Sequence, residues 1–169
     1  MSTDVQSMMD RLGPAASLAH YTIENYPDGS WCIYNLGGEV KLWFRQENDW
    51  FVLSESERDR DERIFFAGAD LWDMELVLVY RLANRHRRRM GNPLLVPTSV
   101  PVTSDQTAKD FELGRNQYGA WVLRNSATGS AWLGRMITLT EFSHFAGLAP
   151  WQLWDVMTEQ AQSSFSTVN

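Results

Sequence analysis

Histidine, cysteine, the hydroxyl side chains and clustered acids are what could do chemistry here, and their spacing does not assemble a catalytic centre. His20, His86 and His144 stand in three separate segments, none with an acid or nucleophile at a recurrent spacing. Each therefore reads as a structural or exposed imidazole and not as a general base. Cys32 is the only cysteine, which excludes an internal disulfide and a thiolate metal site and suits a reducing compartment. There is no His-x-x-x-His, no Cys-x-x-Cys and no acidic loop of calcium spacing. Gly37-Gly38 lacks the Gly-x-x-x-x-Gly-Lys or Gly-x-Gly-x-x-Gly frame that cradles a phosphate. The hydroxyls between Thr98 and Thr107 fall outside any Gly-x-Ser-x-Gly elbow. The expectation is a chain with no catalytic residue, no metal and no cofactor.

What remains is charge and aromatic surface. The 169 residues carry a net charge of −6, which gives no overall positive field for nucleic acid or an anionic membrane and suits a cationic partner. The charge is segregated: residues 1–75 hold 15 acids against 6 bases, residues 76–169 hold 6 against 9. Glu47 and Asp49 fall in a turn, and Glu55, Glu57, Asp59, Asp61 and Glu62 alternate with Arg58, Arg60 and Arg63. Five arginines fall within residues 81–89. They read first as a helix C-terminus that neutralises its dipole and pairs with the preceding acidic run. Eight tryptophans are mainly core, but aromatic side chains rimmed by acids also have the anatomy of a protein interface.

The elements that must position these side chains follow from periodicity. Val5, Met8, Met9 and Leu12 predict a short amphipathic helix stopped by Gly13-Pro14. Tyr21–Tyr26, Ser30–Asn35, Glu39–Gln46 and Trp50–Ser54 predict a four-stranded meander, its turns at Pro27-Asp28-Gly29, Gly37-Gly38 and Glu47-Asn48-Asp49. Trp31, Ile33 and Asn35 take one face of their strand and Cys32, Tyr34 and Leu36 the other, while in the next strand Leu42 and Phe44 oppose Trp43 and Arg45. A solvated loop over Ser54–Arg63 is expected, then a strand at Ile64–Ala67. Next comes a long central helix capped by Asp70 and closed by Gly91 and Pro93. Pro93–Asp105 reads as a surface connection. Hairpins follow at Lys109–Gln117, Ala120–Asn125 and Ser130–Met136. A helix with a capping box at Thr138-Glu141 then runs to Gly147, and a last helix from Pro150 fades into a polar tail over Ala161–Asn169. The expected fold is α+β: residues 1–169 form one domain in which a mostly antiparallel sheet is packed by one long central helix and shorter terminal helices. The acidic start carries no apolar leader and no apolar run long enough to span a bilayer, so the expected location is cytoplasmic.

Certain stretches carry a resemblance: the meander ending in Glu47-Asn48-Asp49-Trp50-Phe51-Val52, then Ser56-Glu57-Arg58 and Ile64-Phe65-Phe66-Ala67. A buried helix with Glu75 and Arg89-Met90-Gly91-Asn92-Pro93-Leu94 follow in order. From Tyr21 to Glu159 the chain resembles the immunity-protein family typified by the antitoxin of tuberculosis necrotizing toxin, an NAD-glycohydrolase. The resemblance implies a non-enzymatic, actinobacterial protein that forms a 1:1 complex with the catalytic domain of a secreted toxin inside the producing cell and obstructs its NAD site. Neither nucleic acid nor membrane is an expected partner. The expected partner-facing residues are Glu47, Asp49, Trp50, Glu55, Glu57, Asp59 and Asp61. Two other readings stand beside this one: a small-ligand-binding or regulatory domain using a pocket between sheet and helix at Glu75, and a nucleic-acid regulator using Arg85–Arg89.

Overall fold

The computed structural model describes residues 3–58 and 60–163. Its order is α1 (Thr3–Ala19), β1 (Tyr21–Asn25), β2 (Trp31–Asn35), β3 (Val40–Glu47), β4 (Trp50–Glu57), β5 (Arg63–Gly68) and α2 (Leu71–Arg89). After a 3-10 turn at Ser104–Gln106 come β6 (Phe111–Arg115), β7 (Trp121–Asn125), β8 (Ala131–Gly134), α3 (Met136–Ser143) and α4 (Pro150–Ser163). The strands form one eight-stranded antiparallel sheet in the order β1-β2-β3-β4-β5-β8-β7-β6, so the meander and the second hairpin region join edge to edge through β5 and β8. This is the α+β architecture expected.

Register divides the sheet into two unlike faces. Ile33 lies across from Leu42, and Trp31 across from Phe44, which lies across from Leu53. These side chains join Phe66, Leu123 and Trp132 in the main core beneath the helices. Opposite Leu53 and Ser54, β5 carries Phe65 as an extra residue, a β-bulge, which lets neighbours on the bulged strand share a face. Phe65 and Phe66 accordingly are both wholly buried in the same core. The opposite face carries Trp43, Arg45, Val52, Ala67, Leu133 and Val122 in register.

Four elements depart from the expected bounds. Gly13-Pro14 does not stop α1, which runs on to Ala19. Proline inside a helix removes one hydrogen bond and costs about 3 kcal/mol. The buried stripe of Val5, Met8, Met9 and Leu12 continues through it to Ala16 and Ala19, and that burial offsets the loss. The segment expected as a solvated loop is strand as far as Glu57. The Thr138 capping box is not formed, because α3 begins at Met136 with Arg135 as its cap, and Thr138 and Thr140 are buried. That helix ends at Ser143, and Gly147, at φ +86°, closes the turns that follow it. Of the expected polar tail, Ala161–Ser163 are helical, and residues 164–169 lie outside the described residues.

The central helix is built as its sequence demands. The Asp70 side chain accepts a hydrogen bond from the Trp72 N–H at 2.9 Å, and Met74 through Tyr80 are buried without interruption. A helix apolar all round belongs in the middle of a core. Its first turn is tied to the sheet by the Trp132 indole N–H, which donates to Asp73 Oδ2 at 2.8 Å. Gly68 makes room for that contact, since a Cβ there would lie 2.7 Å from Trp132 Cδ1. Burial pushes the Asp73 carboxyl up to about 6, against an ordinary value of 3.8.

Two outcomes follow for stability. Gly68→Ala should cost about 2 kcal/mol in urea unfolding, by displacing Trp132. A carboxyl whose folded pKa is raised binds its proton more readily in the folded state, so its contribution is lost as pH rises from about 4 through about 6. Asp73→Asn removes that loss. The variant should gain stability relative to the parent at pH 7, and the gain should shrink as unfolding is measured at successively lower pH down to 5.

Candidate partner-binding site

The expected partner-facing residues separate into three places. Glu47 lies across from Trp50 at the last register position of the β3–β4 hairpin. Between them is a two-residue turn of Asn48 and Asp49, with Asn48 at φ +55°, a conformation asparagine tolerates better than most residues. Glu47, Asn48 and Asp49 are exposed and Trp50 is half-buried. Glu57 and Asp61 sit at the other end of β4, roughly 23 Å away over seven strand steps. There Glu57 pairs with Arg60 at 3.8 Å. Asp59 lies outside the described residues.

Glu55 belongs to neither end. It lies across from Leu42, on the helix-covered face, with its side chain 10% exposed and three guanidiniums around its carboxylate. Arg81 approaches at 3.1 Å, Arg85 at 3.5 Å and Arg135 at 3.8 Å. Arg81 also stacks on the Phe65 ring at 3.9 Å. Burial works against the charge on Arg81 and Glu55 offsets it. This one carboxylate thereby joins β4, α2 and the β8–α3 junction. Nothing in the spacing of an alternating charge run marked which acid would turn inward; pairing with β3, which sets Glu55 across from Leu42, decides it.

The basic end of α2 is largely consumed by structure. Arg87 is buried and donates from Nε to the Pro93 carbonyl at 2.9 Å and from Nη1 to the Met157 carbonyl at 2.6 Å. His86 Nδ1 and Arg89 Nη1 both meet the Leu18 carbonyl near the end of α1, at 3.0 and 3.2 Å. Among the described residues, Arg85 of the 85–89 run reaches the acidic segment, through Glu55. The other two histidines are likewise structural in placement. His144 Nε2 meets the Gln106 carbonyl at 2.6 Å, and His20, at φ +62°, forms the turn between α1 and β1. Glu75 does not face a pocket between sheet and helix. Its carboxylate accepts two hydrogen bonds from Arg11 of α1, at 3.0 and 2.6 Å, on the wall of a 310 Å³ groove with Trp151 and Trp154. Cys32 is wholly buried, and burial pushes its thiol up to about 11, which keeps it inert.

The face of the sheet away from the core holds a trough of about 530 Å³ beside Glu47 and Trp50. Val52 and Ala67 are buried there yet stand outside the main core. Trp50, Ile64 and Leu133 form its walls. Further along this face Arg45 stacks on Trp43 at 5.1 Å and is gripped by Glu62, which also accepts from Ser54. An exposed acidic turn next to an apolar trough is fit for binding a protein.

The family model for Immunity protein 61 matches residues 15–161. This chain belongs to that family. It is an immunity protein, whose role is to bind and neutralise a cognate toxin. Among solved structures, Rv3902c from M. tuberculosis shares the fold, with a TM-score of 0.73 and 20% identity over 93% of this chain and 88% of that one. A comparison with curated proteins finds no match. In this Immunity protein 61 member no described helix is long and apolar enough to cross a membrane. No group of three or more potential metal ligands occurs among the described residues.

Removing the buried carboxylate tests the frame behind the site. Glu55→Ala leaves three guanidiniums without their shared acid and should cost about 2 kcal/mol, a figure reduced because Arg135 and Arg85 are part-exposed. Chemical denaturation of variant and parent gives the difference directly.

Proposed function

We propose that this immunity protein neutralises an NAD-glycohydrolase toxin of the cell that makes it, by seating its acidic β3–β4 end over the toxin's active site in a 1:1 complex. The observation that carries the reading is the β3–β4 turn, where two exposed carboxylates flank a half-buried tryptophan. A pocket shaped for an anionic dinucleotide is cationic, so an acidic inhibitor gains both steering and complementarity. The chain performs no turnover. It acts by occupancy in the cytoplasm, on a folded toxin domain, and needs no nucleic acid, membrane or cofactor.

Glu47, Asp49 and Trp50 contact the toxin in this reading. Glu57 and Asp61, at the far end of the hairpin, supply field rather than contact, and Glu55 holds the frame. The double variant Glu47→Lys, Asp49→Lys should weaken binding to the cognate toxin domain by at least about a hundredfold, since like charges now meet. Glu57→Lys should change affinity by less than about threefold at physiological salt. Calorimetry, together with NAD cleavage by the toxin with each variant present, reads both. Equal affinity of the double variant and the parent would remove the proposal.

A further inference from the structure

The trough beside the acidic turn has features that a mere irregularity of the surface would lack. Its floor is apolar and preformed: Val52 and Ala67 are each 6% exposed although neither belongs to the core under the helices. One wall is open to solvent, with Ile64 at 55% exposure. A volume of about 530 Å³ falls among pockets that enclose a bulky group, which run from about 300 to 1,000 Å³. Among the residues lining it Glu47 alone is charged, and Asp49 follows in the same turn. Arg45, further along the face, is neutralised by Glu62.

Charge decides what fits. A dinucleotide or other phosphate ester would set its anions against Glu47 and Asp49. A second copy of this chain, meeting face to face about a two-fold axis, would bring a second Glu47 and Asp49 against the first. An apolar side chain with a lysine or arginine next to it satisfies both halves of the site. The ring or branched chain enters between Trp50, Ile64 and Leu133, and the cation meets Glu47.

We infer that this trough is the anchor pocket of the complex, and that it takes one bulky apolar side chain flanked by a basic residue from the surface of the toxin domain. The inference rests on the toxin-binding reading above and adds the chemistry of the contact. The anchor lies beside the occluding turn, so it fixes the angle at which the turn approaches the partner.

The full chain, labelled for NMR at tryptophan indoles and at isoleucine and leucine methyls, is titrated with the acetylated, amidated peptides Lys-Trp-Lys and Glu-Trp-Glu, and separately with NAD. The expected result is saturable shifts at Trp50, Ile64 and Leu133 with Lys-Trp-Lys, at least about fivefold tighter than with Glu-Trp-Glu, and none there with NAD. Ile64→Ser, at an exposed position that leaves the fold intact, should weaken both the Lys-Trp-Lys peptide and the toxin domain by about tenfold. Equal affinity for the two peptides, shifts centred elsewhere, or saturation of the same methyls by NAD would overturn the anchor. If Ile64→Ser leaves toxin affinity unchanged while the Glu47, Asp49 reversal abolishes it, the anchor falls and the toxin-binding reading stands. If neither variant alters toxin affinity, both fall.

Discussion

An antiparallel sheet of eight strands has two faces of similar area, and the described helices of this chain bury one of them. Every strand must satisfy both faces at once, because successive side chains alternate. On the covered face this produces a continuous core from Val5 of α1 to Met157 of α4. On the other face aromatic and aliphatic side chains remain without a helix above them, and a sheet of this kind carries its surplus apolar surface toward a partner. In the proposed reading, that uncovered face is the one turned toward the toxin.

The asymmetry has to be held in place, and polar pairs inside the helix layer do so. Glu55 gathers Arg81, Arg85 and Arg135, Asp73 accepts from Trp132, and Arg87 clamps the end of α2 to the Pro93 and Met157 carbonyls. Ion pairs of this sort add little net stability over apolar packing. Their geometry is what matters: they keep α2 and the β8–α3 junction fixed relative to β4, and β4 is the strand that starts from the acidic turn. In the proposed reading a rigid turn binds without first losing conformational freedom, which conserves affinity.

Much of this was legible in the chain itself. The strand pattern from Tyr21 to Phe51 and the capped, all-apolar stretch of α2 are local signals, carried by turn residues and by period, and the structure reproduces them. The family resemblance likewise rested on the order of such segments, and the match to Immunity protein 61 bears it out. Tertiary packing decided the rest. Pro14 is carried inside α1 because Ala16 and Ala19 continue a buried stripe. Thr138 lies inside α3, which starts two residues before it. Glu55 turns inward within an alternating run of acids and arginines, because its pairing with Leu42 and three distant arginines define its surroundings. The turn acids Glu47 and Asp49 were recognisable as exposed, whereas the trough beside them was not, since Val52, Ile64 and Leu133 meet only through strand pairing.

In the proposed reading a folded, inert plug silences a toxin by occupying it. Titrating a fixed amount of cognate toxin domain with the purified chain, and following NAD cleavage at concentrations far above the dissociation constant, tests it most directly. The account predicts activity falling in a straight line to zero at one chain per toxin, independent of incubation time. Complete loss at a small fraction of an equivalent, growing with time, would reveal turnover by this chain and contradict it, as would full toxin activity beyond equivalence.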